Sequence, residues 1–366
     1  MKKNILFILQ LPPPVHGSSM VGEFIKESSR INGAFNTRYI NLLASKNVSD
    51  SGKVSIGKIM VFISIWFQLL KELSNNKPDL CYLALSATGA AFFRDVLLVS
   101  LLKVFGVRRV YHMHNKGVKT HGKQKLYDFF YSFMFKDTDV IMLSEYLYED
   151  VDDYVGKQQV HVCPNGIPEP DYVESEESEK EVSLLFLSNL IESKGVYVLL
   201  EACEKLREKG LSFKCTFIGG EGDVSEPQIN QVIKERGLEK QVVYAGKKYG
   251  EEKEKAFSKA DIFVFPTFYD KECLPLVLIE AMQHRLPVVS TYEGGIRDLV
   301  DSGKTGYLVE QKNVEELSEK LEELIRDKEL RQKMGKAGRE KYEARFTLQK
   351  FEERMTEILT QVVQKS

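Results

Sequence analysis

Short apolar runs alternate along this chain with longer segments whose apolar residues recur every three to four positions. That is the pattern of repeated strand–helix–strand units built around a parallel sheet. In the first half it predicts strands over 4–9, 37–42, 79–85, 109–113, 140–143 and 160–163. Helices are expected over 18–30, 55–74, 90–105 and 124–135, the first with Ser18 and Ser19 as candidate N-caps. The segment EPDYVESEESEKE over 169–181 is acidic, has almost no apolar residue and reads as a solvated linker. Past it the alternation restarts, with strands over 183–188, 213–218, 241–245, 261–265 and 287–290. From Val314 onward the pattern is almost wholly helical. The reading is an α/β chain with a Rossmann-like N-terminal domain over 1–170, a linker over 171–181 and a second domain over 182–345. A last helix over 346–366 is expected to cross back to the first domain, and the two doubly wound domains to face across a cleft.

Length supports two domains, because 366 residues exceed the roughly 250–300 at which a single core stops growing. A hydrophobic share of 43% and a charged share of 28% belong to a globular chain, not to a fibre or a disordered one. The five cysteines are scattered without CxxC spacing, so reduced thiols are expected, not a disulfide framework or a zinc cluster. The apolar run after Met1-Lys2-Lys3 stops at Pro12-Pro13-Pro14, too early for a secretion signal. The most apolar helical stretch, Ile59 to Leu70, is shorter than the ~20 residues a membrane crossing needs. These features lead us to expect a cytoplasmic protein. The formal net charge of −2 hides an asymmetry: residues 1–168 hold 20 Lys and Arg against 14 Asp and Glu, and the rest hold 31 against 39.

In open α/β sheets ligands collect beyond the carboxyl ends of strands, so chemistry is sought there. After the first strand, Pro12-Pro13-Pro14-Val15-His16-Gly17-Ser18 opens a helix whose N-terminus suits an anion. After the fourth, alternation puts His112 and His114 on one face, and the basic stretch Lys116, Lys119, His121, Lys123, Lys125 follows. No third ligand completes a metal site there. In the second half, Asn189 and Lys194 follow the first strand, Lys194 at a helix start where a cation opposes the dipole and is better explained as a phosphate ligand. Gly219, Gly220 and Gly246 follow the next strands and permit close backbone approach. Glu272 then sits in a loop before a helix opening near Pro275, and Glu280 sits inside that helix.

Together the motifs ECLPLVLIEAM, SKGVYVLLEA, PNGI over 164–167, and Gly294-Gly295-Ile296 resemble those of the retaining glycosyltransferases of family 4, which have the GT-B fold. The Pro-Pro-Pro-Val-His-Gly opening looks like the subset found among bacterial surface-polysaccharide enzymes. The resemblance implies transfer of a sugar from a nucleotide-diphosphate sugar, with UDP favoured, to a saccharide acceptor. The basic, partly hydrophobic first half suits an acceptor that is lipid-linked and peripheral contact with an anionic membrane, at the inner face of the plasma membrane. The resemblance implies no cofactor and no metal. Lys194 would neutralise the diphosphate, Gly17 and His16 would belong to the loop approaching it, and Glu280 would bind the ribose hydroxyls. Glu272 and His114 would contact the donor sugar, with the backbone around Leu274, Pro275 and Leu276 near the sugar or phosphates. Asn189 stands where relatives often carry arginine, with Lys247 or Lys248 as candidate substitutes, and Arg285 stands where a glycine is usual. Two alternatives fit the same residues: a catalytically weak partner subunit, and a nucleotide-sugar epimerase or phosphorylase-like enzyme. Nucleic-acid binding is not expected, because no basic module interleaved with aromatics appears.

Overall fold

The structure, a computed structural model, describes residues 2–13, 15–42, 56–170 and 181–365. The chain divides into two compact units, Met1–Asn165 with Leu348–Ser366, and Gly166–Thr347. Of the stretch read as a linker, Glu169, Pro170 and Glu181 are among the described residues and the rest lies outside them.

The first unit opens with β1 (Asn4–Leu9), α1 (Gly17–Glu27), α2 (Ser29–Ala34), β2 (Asn36–Asn41), α3 (Ile56–Asn75) and β3 (Leu80–Leu85). It continues through α4 (Gly89–Val104), β4 (Arg108–Met113), α5 (Val118–His121), α6 (Lys125–Phe135), β5 (Asp139–Met142) and β6 (Val160–Val162). The six strands are parallel in the order β2-β1-β3-β4-β5-β6. The near-continuous apolar runs have a physical reason: strands covered by helices on both faces bury every side chain, as LCYLAL in β3 does.

The second unit comprises β7 (Val182–Leu187), α7 (Val196–Glu208), β8 (Phe213–Ile218), α8 (Glu226–Glu235), β9 (Val242–Tyr244), α9 (Glu251–Ser258) and β10 (Ile262–Phe265). Then come α10 (Leu276–Gln283), β11 (Val288–Thr291), α11 (Ile296–Leu299), β12 (Gly306–Val309), α12 (Val314–Arg326) and α13 (Lys328–Arg345). Its parallel sheet runs β12-β11-β10-β7-β8-β9, so the first and fourth strands of the unit are neighbours. That is the dinucleotide-fold order, and the strand order reverses between β7 and β10. The closing helix α14 (Leu348–Gln364) belongs to the first unit, where Phe351, Met355, Ile358, Leu359 and Val362 join Ile5, Phe7 and Leu9 in one core cluster.

Three local readings are corrected. The helix expected over 18–30 is two helices, because the Ser28 side chain turns to accept from the Ile31 N–H at 3.2 Å and starts a new one. The cap of α1 is His16, not Ser18 or Ser19: its Nδ1 accepts from the Ser19 N–H at 3.3 Å, while Ser19 Oγ accepts from the His16 N–H at 3.0 Å. The pattern also missed β12, a four-residue strand opening on a glycine, too short to alternate visibly.

Arg285 takes a left-handed backbone (φ 58°), the conformation glycine adopts without strain, which accounts for the glycine usual there. Its carbonyl meets α13 at Gly335, where a Cβ would lie 1.8 Å from the Arg285 oxygen. Gly335→Ala is therefore expected to push α13 off α10 and cost about 1–3 kcal/mol. Denaturant unfolding measures this, with the midpoint falling.

Candidate functional site

Gly195 builds the site. With φ 89°, it lets the 3₁₀ turn Glu192–Lys194 run directly into α7, and a Cβ there would lie 2.3 Å from the Pro266 carbonyl oxygen. This close approach ties the loop after β7 to the loop after β10. Phe268 N–H donates to the Ser193 carbonyl at 2.7 Å, and Thr267 Oγ1 donates to the same oxygen at 3.3 Å. Lys194 is thereby carried against Glu272, and their side chains form an ion pair, both largely buried. The ammonium also lies 4.3 Å from the Tyr269 ring centroid.

Glu272 is held from behind by the loop after β11. A Cβ at Gly294 would lie 2.3 Å from the Glu272 carbonyl oxygen, and Gly295 N–H donates to the Cys273 carbonyl at 2.6 Å. Cys273 and Leu274 are buried, Pro275 caps α10 with extended backbone, and Leu276 is the first helical residue. Glu280 then falls in the second turn of α10, its Oε1 accepting from Lys253 Nζ at 2.7 Å. Lys194, Glu272 and Glu280 thus follow β7 and β10, at the carboxyl ends of the two strands between which the order reverses, where doubly wound sheets bind ligands.

The neighbouring loops are joined by glycines. Gly219 N–H donates to the Gly246 carbonyl at 2.9 Å, and a Cβ at Gly219 would lie 1.8 Å from the Ser188 carbonyl oxygen. Asn189 Oδ1 accepts from the Gly220 N–H at 3.3 Å. The Lys247 chain lies across Gly220, where a Cβ would be 2.5 Å from Lys247 Cε and 3.1 Å from Asn189 Oδ1. A cation therefore stands beside Asn189, supplied by the next loop.

In the first unit, His112 on β4 and His114 just past its end lie side by side, their ring centroids 4.1 Å apart. His112 is fully buried, with Nδ1 2.5 Å from the Tyr82 hydroxyl oxygen. Burial, aided by the nearby His16, pulls the His114 pKa down to about 4, so its imidazole is neutral at pH 7. The His16 pKa is lowered by burial too, and its Nδ1 is engaged by Ser18 and Ser19. Gly17 is exposed, and a Cβ there would meet nothing within 4 Å. The basic stretch is not one uniform face. Lys119 is tied to Asp152 at 2.6 Å, and the Asp150 carboxylate accepts the Gly117, Val118 and Lys119 N–H groups at the start of α5.

Sequence reasoning missed Lys253, which nothing in its local pattern marked. All five cysteines are free and buried. Among the described residues no group of three or more His, Cys, Asp or Glu side chains is placed to hold a metal ion, and no helix is long and apolar enough to cross a membrane.

Residues 169–341 match the family model described as glycosyl transferases group 1. The capsular polysaccharide biosynthesis glycosyltransferase CapM of Staphylococcus aureus is 28% identical over 165 residues, 45% of this chain and 42% of CapM. The chain spans about half or less of the length of the first curated relatives it matches. Among solved structures, a glycosyltransferase from Rickettsia africae superposes over all of both chains with a TM-score of 0.79 at 18% identity. Anabaena HepE, in complex with UDP and glucose, superposes over 98% of this chain and 99% of its own with a TM-score of 0.70 at 15% identity. The fold is the two-unit GT-B architecture of glycosyltransferases. Residues 169–341, which carry Lys194, Glu272 and Glu280, are thus the part of the chain that is similar to the glycosyl transferases group 1 family.

Proposed function

We propose that this chain is a retaining, metal-independent glycosyltransferase that moves a sugar from a nucleotide-diphosphate sugar, with UDP favoured, to a saccharide acceptor in surface-polysaccharide synthesis. The observation that carries this is the Lys194–Glu272 pair at the reversal between β7 and β10. An ammonium held there is neutralised by a carboxylate only until a stronger anion arrives. On this reading a donor diphosphate takes Lys194 from Glu272, and the freed carboxylate accepts from hydroxyls of the sugar. As the sugar–phosphate bond breaks, negative charge grows on the leaving diphosphate, and Lys194 stabilises it where a metal would otherwise be needed. Lys247, beside Asn189, adds the second positive group. Glu280 accepts from the ribose hydroxyls, and neutral His114 makes the sugar contact that the resemblance assigns to it. The acceptor hydroxyl attacks the anomeric carbon on the face the diphosphate leaves and passes its proton to the departing phosphate oxygen, so the new bond keeps the donor configuration.

Lys194→Ala is expected to lower kcat by roughly 10²–10³, the loss of one well-placed charge donor, and also to lower the unfolding midpoint, because Glu272 is left buried without its partner; turnover is therefore compared well below that midpoint. Release of nucleoside diphosphate from a panel of nucleotide sugars with acceptor measures it. Unchanged turnover would sink the role of Lys194.

The same reading gives the first unit an acceptor linked to lipid. Helices α3, α4 and α6 pack side by side, and their outer faces leave Met60, Phe67, Val104 and Phe129 exposed, Val104 by 81%. Exposed Lys71, Lys123 and Lys125 lie on or next to the same helices, a combination that suits the interface of an anionic bilayer. Co-sedimentation with vesicles should require anionic lipid and weaken in Phe67→Ser and Phe129→Ser. Sedimentation that ignores lipid charge and both substitutions contradicts membrane docking.

A further inference from the structure

Lys253 is the third residue of α9, inside the first turn, among Glu251, Glu252 and Glu254. A lysine there faces the positive end of the helix dipole, where acids are favoured and cations cost stability. Burial also opposes its charge, yet the carboxylates of Glu280 and Glu254 more than offset this and hold its pKa above the ordinary lysine value. Both local influences argue against a lysine here. What favours it is its partner. Lys253 Nζ donates to Glu280 Oε1 at 2.7 Å and lies 3.6 Å from Glu254 Oε1.

Further groups lie close behind this pair. Glu254 Oε2 lies 3.2 Å from His284 Nε2, and His284 Nδ1 lies 2.9 Å from the Glu280 carbonyl oxygen. A carbonyl only accepts, so Nδ1 carries the hydrogen. The His284 ring stacks on Phe257 of α9, with centroids 5.0 Å apart. Glu280 is therefore held at one carboxylate oxygen by Lys253 and, separately, at its backbone carbonyl by His284; the approach of Glu254 to His284 is close but is not a hydrogen bond. The second carboxylate oxygen of Glu280, Oε2, has no partner among the described residues. The carboxylate is locked in orientation with one acceptor left over.

We propose that Lys253 is a positioning residue that aims Glu280 Oε2 at the ribose hydroxyls and so gives the site its preference for ribonucleotides over deoxyribonucleotides. This rests on the ribose-binding role proposed above for Glu280. A carboxylate oxygen held in place gains most from a hydroxyl that is present and loses most when it is absent; a freely rotating one re-pairs with water and discriminates poorly.

The test is isothermal titration of UDP and GDP, each beside its 2′-deoxy form, into the wild type and Lys253→Met. The wild type should bind one ribonucleotide about tenfold or more tightly than its deoxy form, the scale of one hydrogen bond to a charged acceptor. In Lys253→Met that ratio should fall below about threefold, and Lys253→Arg, which can remake the ion pair, should restore it. Thermal unfolding confirms that each variant is folded, and Lys253→Gln replaces the Met variant if that one is not. A variant that binds more weakly but keeps the full ratio would make Lys253 a structural residue and overturn the proposal. A wild type that binds a ribonucleotide and its deoxy form equally removes the proposal while leaving the donor reading standing. A wild type that binds no nucleotide removes the donor reading itself, and this inference with it.

Discussion

Everything assigned to the second unit depends on one contact, the backbone of Gly195 lying against the carbonyl of Pro266. No side chain fits there, so β7 and β10 can send their following loops along each other only because this residue is glycine. The contact places a lysine and a glutamate that are 78 residues apart in sequence within one ion pair. It also explains the position of Lys194 in a 3₁₀ turn at a helix start, where helix stability alone disfavours a cation. The loop after β11 completes the arrangement by the same means, with Gly294 and Gly295 lying against the backbone of Glu272 and Cys273.

The polar groups of the site are thus paired with one another: Lys194 with Glu272, and Lys253 with Glu280. Such pairing keeps buried charges compensated in the free protein, since an isolated one would be costly. It also means that an incoming anion with hydroxyl groups exchanges partners instead of merely adding them. On the proposed function, a donor diphosphate would compete for the lysine, and its sugar hydroxyls would inherit the released carboxylate. Lys247 differs, lying exposed across Gly220 beside Asn189, so that a positive group approaches from β9 where relatives often place an arginine after β7.

Much of the architecture was legible because parallel strands buried on both faces are apolar throughout, and β1, β3 and β10 stand out for that reason. What escaped was short or decided by side-chain hydrogen bonds. Ser28 splits one helix into two, His16 takes the cap from two serines, and β12 has four residues. Lys194, Glu272 and Glu280 could be singled out by type and by place after strands. Their pairing could not, because it needs the strand order that sets β10 beside β7. Lys253 was invisible for the same reason: in sequence it is one charge among several in an acidic helix, and only the fold turns it toward Glu280.

The central claim is that the Lys194–Glu272 pair is the resting state of a diphosphate site. A crystal structure of the protein with bound UDP tests it most directly. The account predicts Lys194 Nζ within hydrogen-bond distance of a phosphate oxygen and parted from Glu272, with the ribose hydroxyls on Glu280. A nucleotide seated elsewhere, or one bound while Lys194 stays on Glu272, would contradict it.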